Sequence, residues 1–136
     1  MARYEHLPIS RSAMKLAVHL ETVVRGFPRY VKYTLGSEMR LKSQKAVALV
    51  IQANSRRDKQ QTLVELCDEL EQLLVQARIC QETGGFRTFA SFAATVELAG
   101  QVVRQAEGWL KASGARGAPE PPAPSTTLRE RPAGVQ

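Results

Sequence analysis

The side chains that could do chemistry are few, and their spacing argues against a catalytic or metal site. His6 and His19 lie too far apart along a helical segment to share a metal ion, and neither has a cysteine or carboxylate at a ligand spacing. Cys67 and Cys80 are thirteen residues apart on one predicted helix, so about 20 Å separates them and excludes a disulfide. We therefore predict that both cysteines are small core residues in a reducing compartment.

An acidic cluster between positions 65 and 71 is the remaining candidate for catalysis, and it consists of Glu65, Asp68, Glu69 and Glu71. These residues flank a leucine repeat as ordinary polar positions do, so a solvated helix face explains them better than paired catalytic carboxylates. The sequence has no glycine-rich phosphate loop, no nucleophile elbow and no Cys/His pair at a defined spacing. We predict no enzymatic activity, no metal and no cofactor.

Positive charge is concentrated in one part of the chain. Between Arg25 and Lys59 there are nine basic residues and two acidic ones, whereas the net charge of the whole chain is +6. Such a surplus favours polyanions, because neutralising a phosphate releases its condensed counterions. Charge alone does not distinguish nucleic acid from an anionic membrane, and an ordinary solvated face, with Glu38 paired to Lys42, is the alternative.

On the predicted second helix, Lys45 and Arg56 project to one flank of the apolar stripe, and Lys42 reaches outward from its edge. They predict a positive strip along the helix that follows a phosphate backbone and is extended by basic residues at both helix ends. The residues predicted to contact nucleic acid are Arg29, Lys32, Arg40, Lys42, Lys45, Arg56, Arg57 and Lys59.

Tyr30 and Tyr33 lie beside this charge. Aromatic side chains near basic residues stack on exposed bases in single-strand binders. More often such tyrosines cover the end of a bundle with their hydroxyls in water.

Four helical segments and a tail account for nearly the whole chain, and no strand pattern is longer than a few residues. The first helix begins near Arg11 with Ser10 or Ser12 as its cap, and Pro28 ends it near Arg25. The second runs from Ser37 to about Asn54, the third from Asp58 or Thr62 to Gly84, and the fourth from about Thr88 to Lys111.

Apolar spacing predicts which helix faces meet. On the third helix a coiled-coil-like seam is formed by Leu63, Leu66, Leu70, Leu73, Ala77 and Cys80. On the fourth helix the predicted packing residues are Phe89, Phe92, Val96, Val103, Ala106 and Leu110. An all-α, up-down-up-down four-helix bundle over residues 1–112 is the economical fold, and a three-helix bundle with a loose first helix is the alternative.

The second helix has apolar residues on two sides. Leu41, Val47, Ala48 and Ile51 fall outside its core stripe, on the side that faces water in a monomer. We predict a subunit interface at Leu41, Val47 and Ile51. Deeper burial of this helix within its own bundle is the alternative.

Residues 113–136 are rich in proline, alanine and glycine and have almost no large apolar side chains, so we predict a disordered tail. The N-terminus has no apolar signal region, and no run approaches the roughly 18 apolar residues that a membrane span needs. We predict a cytoplasmic protein without membrane contact.

Several short motifs occur in an order that resembles a known family. They are Phe27-Pro28-Arg29, Tyr33-Thr34-Leu35-Gly36 followed by Arg40, a leucine-rich third helix, and Glu107-Gly108-Trp109-Leu110-Lys111. Over about residues 11–112 their layout resembles the accessory variability determinant (Avd) of diversity-generating retroelements. It is also similar to the related four-helix-bundle proteins encoded in intervening sequences of bacterial ribosomal RNA genes.

The resemblance implies a four-helix bundle that assembles into a basic, ring-like homopentamer without catalytic activity of its own. It further implies that this oligomer partners the element's reverse transcriptase and binds template RNA or its DNA copy during mutagenic retrohoming. Two other functions remain open at this point. The chain could be a protein-interaction scaffold whose basic face meets an acidic partner, or a relative of the ribosomal intervening-sequence proteins, which genomic context would distinguish.

Overall fold

The computed structural model describes residues 7–117, which form four long helices and no strand. The helices are α1 (Pro8–Arg25), α2 (Ser37–Ser55), α3 (Gln60–Glu82) and α4 (Phe89–Gly117). Both α1 and α3 pack against α2 and α4, so α1 and α3 occupy opposite corners of the bundle. With short connections between successive helices, this gives the predicted four-helix bundle.

The first helix begins earlier than predicted. Pro8 occupies its first turn, where a fixed φ suits the helix and a missing N–H costs nothing. The predicted serine cap is therefore wrong, and Ser10 and Ser12 are buried within the helix. Leu16 and Leu20 are fully buried in the common core, so the alternative with a loose first helix is also wrong.

The connector before α2 is mostly helical, which the sequence did not predict. A short helical turn (Arg29–Val31) follows Pro28, and a π-helical turn (Lys32–Gly36) leads directly into α2. Gly36 is buried against the end of α1, and a Cβ there would lie 2.8 Å from Val24 Cγ1. Glycine thus allows the π-helical turn to approach α1 closely.

The predicted seam of α3 is confirmed, because all six of its residues are fully buried. Helix α3 ends at Glu82, and Gly84 follows with a φ of 80°, a conformation that glycine adopts without a Cβ penalty. Cys80 is buried and Cys67 is partly buried, and both are free thiols. Burial is the main reason that the pKa of Cys67 rises to about 12 and that of Cys80 to about 11.

The predicted core face of α4 is confirmed in part, since Ala106 is buried and Phe92, Val103 and Leu110 pack against the core. Phe89 and Val96 are 68% and 39% exposed, and the buried residues at three-and-four spacing are Thr95, Ala99, Val102 and Ala106. Small side chains at this face let the helices approach closely, and of these residues the apolar pattern indicated only Ala106. Thr95 satisfies its buried hydroxyl by donating to the Ser91 carbonyl oxygen over 2.9 Å.

Phenylalanines, not tyrosines, close one end of the bundle. The ring of Phe86 packs edge-on against Phe27 with centroids 5.1 Å apart and against Phe92 at 5.6 Å. Tyr30 and Tyr33 are 82% and 67% exposed and cover little of this end. The interpretation of these tyrosines as a cover is therefore wrong.

Helix α4 continues past its predicted end at Lys111, so residues 113–117 of the predicted tail belong to the helix. Gly114 packs here against the side chain of Gln60. The rest of the tail, and with it the prediction of disorder, lies outside the described residues, as does His6. In the part of the chain that the structure describes, no helix combines the length and the hydropathy needed to cross a bilayer.

Candidate nucleic-acid interface

The middle of the predicted basic strip faces the acidic side of α3. Lys45 Nζ lies 3.2 Å from Glu65 Oε2 and 3.6 Å from Glu69 Oε2, and Lys42 Nζ lies 3.6 Å from Glu69 Oε1. The hydrogen bond from Lys45 to Glu65 is the main reason that the pKa of Lys45 is raised. The predicted continuous strip is therefore interrupted, because two lysines at its centre are neutralised within the same protomer.

Glu38 and Lys42, the ion pair of the alternative interpretation, each contact α3 instead. Lys42 Nζ donates to Gln72 Oε1 over 2.9 Å, and Glu38 Oε1 accepts from Gln76 Nε2 over 2.7 Å. Both contacts cross from α2 to α3, so this flank of α2 is part of a helix contact within the bundle.

The remaining predicted cations fall at opposite ends of α2. Helix α2 has 19 residues, so at about 1.5 Å per residue its ends are roughly 28 Å apart. Arg29, Lys32 and Arg40 lie near its beginning, whereas Arg56, Arg57 and Lys59 follow its end. A polyanion that reached both groups would have to span the bundle.

At the α2–α3 turn, Arg56 and Arg57 are exposed. Lys59 is held in place, since its ammonium group donates to the Arg56 carbonyl oxygen and lies 6.0 Å from the centre of the Trp109 ring. Asp58 Oδ1 accepts a hydrogen bond from the Gln60 backbone N–H over 3.3 Å at the start of α3. Arg56 and Arg57 are thus the two cations of this turn that project into solvent.

The other end of the bundle brings together cations from different segments, which we call the basic end: Arg25, Arg29, Lys32, Arg40 and Arg87. The bundle topology places the α1–α2 and α3–α4 connections at the same end. The side chain of Arg87 accordingly lies over Gly26, where a Cβ would be 2.9 Å from Arg87 Cδ. Sequence reasoning did not select Arg25 or Arg87, and the predicted topology was the signal that could have found them.

Arg40 is tied to α1. Its Nε lies 3.0 Å from Glu21 Oε2, and Gln44 Nε2 donates to the same oxygen over 2.8 Å. The hydrogen bond from Arg40 is the main reason that the pKa of Glu21 lies below its ordinary value, and the charge of Arg25 contributes to the shift. Arg40 is therefore partly neutralised, while Arg25, Arg29 and Lys32 make no ion pair with another described residue.

A protein-family model described as bAvd-like matches residues 9–113, a span that includes nearly all of the bundle. The chain belongs to the bAvd-like family. This match confirms the resemblance to the accessory variability determinant. No curated protein is similar enough to the chain to match it.

The predicted interface residues of this bAvd-like chain differ in exposure. Leu41 is 61% exposed, whereas Val47 is partly buried against the core and Ile51 is partly buried. Val47 therefore belongs in part to the protomer's own packing. Leu41 is the member that offers an apolar side chain to solvent.

Two further exposed faces of the bAvd-like bundle carry opposite charge. The outer face of α1 combines exposed apolar side chains with basic ones: Met14, Val18, Arg11, Lys15 and Arg25. The outer face of α3 combines apolar side chains with acidic ones and a single arginine: Val64, Val75, Ile79, Asp68, Glu71, Glu82 and Arg78. Because α1 and α3 occupy opposite corners, the two faces point away from each other.

What this arrangement can do chemically is bind anions. The described residues contain no group of three or more His, Cys, Asp or Glu side chains placed to hold a metal ion. Guanidinium and ammonium groups that project from a rigid helical scaffold are suited to phosphate oxygens.

Proposed function

We propose that this protein is a non-catalytic accessory subunit of a diversity-generating retroelement. In this role it binds template RNA or its DNA copy and partners the reverse transcriptase in mutagenic retrohoming. The observation that carries the proposal is the bAvd-like match over residues 9–113. The net charge of +6 and the cations at both ends of the bundle support it.

Nucleic acid contacts the two ends of the bundle more strongly than its middle. Arg56 and Arg57 at one end, and the basic end at the other, have charge that is free to replace counterions on phosphates. Lys42 and Lys45 also belong to the predicted set, but Glu65 and Glu69 already neutralise them. They would have to exchange an existing ion pair for a phosphate contact.

Two double variants with the same change in net charge test this division. Arg56→Gln with Arg57→Gln should lower RNA affinity and reduce the slope of log affinity against log salt by about 1.4, the value for two lost phosphate contacts on a single strand. Lys42→Gln with Lys45→Gln, the matched control, should change both quantities much less. Fluorescence anisotropy with a labelled single-stranded RNA measures both, and circular dichroism checks that helicity is retained.

Equal losses of RNA affinity in the two variants would contradict the assignment of the stronger phosphate contacts to the ends of the bundle. They would favour the continuous strip along α2. If the unaltered protein bound no RNA at low salt, the nucleic-acid function would be refuted. A protein scaffold that recognises an acidic partner would then be the better explanation, and capture of such a partner after nuclease treatment would support it.

Self-association is the second part of the proposal. Two features support it: the exposed Leu41 on α2, and the oppositely charged outer faces of α1 and α3. When the α1 face of one copy meets the α3 face of the next, the contact is heterologous, and repetition closes a ring where the rotation permits. A ring-like homo-oligomer, with a pentamer expected from the family resemblance, follows from such a contact.

A further inference from the structure

A small pocket lies between the end of α1 and the π-helical turn that precedes α2, with Val24 as its apolar wall. Its volume is about 220 Å³, and its polar lining consists of Glu21, Arg25, Lys32, Tyr33, Ser37 and Arg40. The sequence pattern gave no sign of this pocket, because its walls come from two segments that meet only in the folded bundle.

The lining has a strong positive bias. Three positively charged side chains and one carboxylate line the pocket, which leaves an excess of two positive charges. Glu21 forms an ion pair with Arg40. Neither Arg25 nor Lys32 forms an ion pair with another described residue. A bound dianion would balance this excess, and a phosphomonoester carries about 1.5 to 2 negative charges near neutral pH.

Neutral groups of the pocket are suited to the rest of a nucleotide. Tyr33 is 67% exposed, and Lys32 Nζ lies 5.8 Å from the centre of its ring, so an aromatic face and a cation lie side by side. Among the described residues, the Ser37 hydroxyl has only a long hydrogen bond of 3.5 Å, to the Lys32 carbonyl oxygen. The π-helical turn presents both Lys32 and Tyr33, and such turns are frequent at functional sites.

We propose that this pocket binds the terminal phosphomonoester of a nucleotide. The phosphate lies among Arg25, Lys32 and Arg40, and the base stacks on Tyr33. A phosphodiester inside a strand carries a single negative charge, and the strand on both of its sides would have to pass through the pocket. A terminal phosphomonoester carries more charge and extends from the pocket on one side only, so it fits better. The same chemistry is found in a free nucleoside monophosphate and at the phosphorylated end of a strand, and only the second source rests on the proposed nucleic-acid function.

The test compares binding of one short RNA with a 5′-phosphate, a 3′-phosphate or no terminal phosphate to the full chain. We expect one of the phosphorylated forms to bind about tenfold more tightly than the unphosphorylated form, the effect of a charge-assisted contact. Arg25→Gln should abolish this preference. Glu21→Gln should increase it, because it removes the one negative charge of the lining and releases Arg40.

The single variant Arg57→Gln is the matched control for Arg25→Gln, because it removes one positive charge away from the pocket. It should weaken all three RNAs by the same factor and leave the preference intact. Equal affinity of the three RNAs for the unaltered protein would overturn the strand-end form of the proposal while leaving the proposed function standing.

Isothermal titration with adenosine monophosphate, adenosine and inorganic phosphate tests the second source, a free nucleoside monophosphate. Adenosine monophosphate should bind more tightly than the other two, and Tyr33→Ala should bring its affinity close to that of inorganic phosphate. If adenosine monophosphate bound in this way but no RNA did, the pocket would stand and the proposed function would fail. No preference in either set of ligands would overturn the pocket.

Discussion

At the scale of single residues, the neighbouring helix decides what a charged side chain can do. Lys42 and Lys45 are cations on an exposed flank when α2 is considered alone. In the bundle they face Glu69 and Glu65, and an ion pair that already exists must be broken before either lysine can bind phosphate. Arg56, eleven residues beyond Lys45, has no such neighbour among the described ion pairs.

His19 illustrates the same dependence and gives a prediction for pH. His19 Nε2 and Thr95 Oγ1 form a hydrogen bond 2.8 Å long, and the Thr95 hydroxyl also lies within hydrogen-bond distance of the Ser91 carbonyl oxygen. The bond between His19 and Thr95 joins α1 to α4. Burial is the main cause that lowers the pKa of His19 below its ordinary value of 6.5.

The unfolded chain therefore binds a proton more readily than the folded protein in the range just below pH 6.5. We expect the free energy of unfolding to fall as the pH is lowered through this range, as measured by urea denaturation at a series of pH values. In a His19→Gln variant this part of the pH dependence should be absent. Loss of stability from Glu21, whose pKa is lowered from 4.5, should appear only at more acidic pH.

At the scale of elements, the connector and the last helix show where glycine is needed and where it is not. Gly36 sits in the π-helical turn, where an added Cβ would meet Val24 Cγ1 at 2.8 Å and Phe27 Cδ2 at 3.2 Å. Gly108 lies within α4, and an added Cβ there would meet nothing within 4 Å.

The two glycines should therefore respond to alanine with opposite signs. Gly108→Ala should stabilise the protein by about 0.5 to 1 kcal/mol, because alanine loses less backbone entropy in a helix. Gly36→Ala should destabilise it by about 1 to 3 kcal/mol, because the methyl group overpacks the contact between α1 and the connector. Urea denaturation of both variants measures these changes, and two changes of the same sign would contradict the assigned packing.

At the scale of the whole molecule, charge is separated between opposite corners of the bundle. Lys15 lies on the basic face of α1 and Glu71 on the acidic face of α3. The two faces do not meet within the protomer, because α1 and α3 do not pack against each other as neighbours. A head-to-tail contact between copies would bury the exposed apolar residues of both faces and pair their charges.

Charge exchange tests this contact. Lys15→Glu alone and Glu71→Lys alone should each shift the protein towards monomer in sedimentation velocity, because each places like charges opposite one another. Mixing the two variants should restore larger species, since the altered α1 face of one then complements the altered α3 face of the other.

Leu41→Asp provides the comparison for the interface predicted on α2. If Leu41→Asp produced monomer and the two charge variants did not, the contact would lie on α2, away from the α1 and α3 faces. An unaltered protein that sedimented as a monomer at micromolar concentration would overturn the proposed self-association.

The amino-acid sequence by itself determined the helices, the seam of α3 and the family. Local patterns carry this information: apolar residues at three-and-four spacing specify a buried helix face, and Gly84 specifies where α3 stops. The order of short motifs carried the resemblance that the bAvd-like match confirms. None of these inferences requires knowledge of which helices are neighbours.

Only the tertiary structure decided which cations remain available and where they gather. Glu69 lies 27 residues from Lys42 in the chain, and Glu21 lies 19 from Arg40, so no local pattern reveals either pair. The same is true of Arg87, which meets Gly26 because two connections share one end of the bundle. The reason is physical: ion pairs and pockets depend on distances of a few ångströms, and those distances are set only when the helices pack.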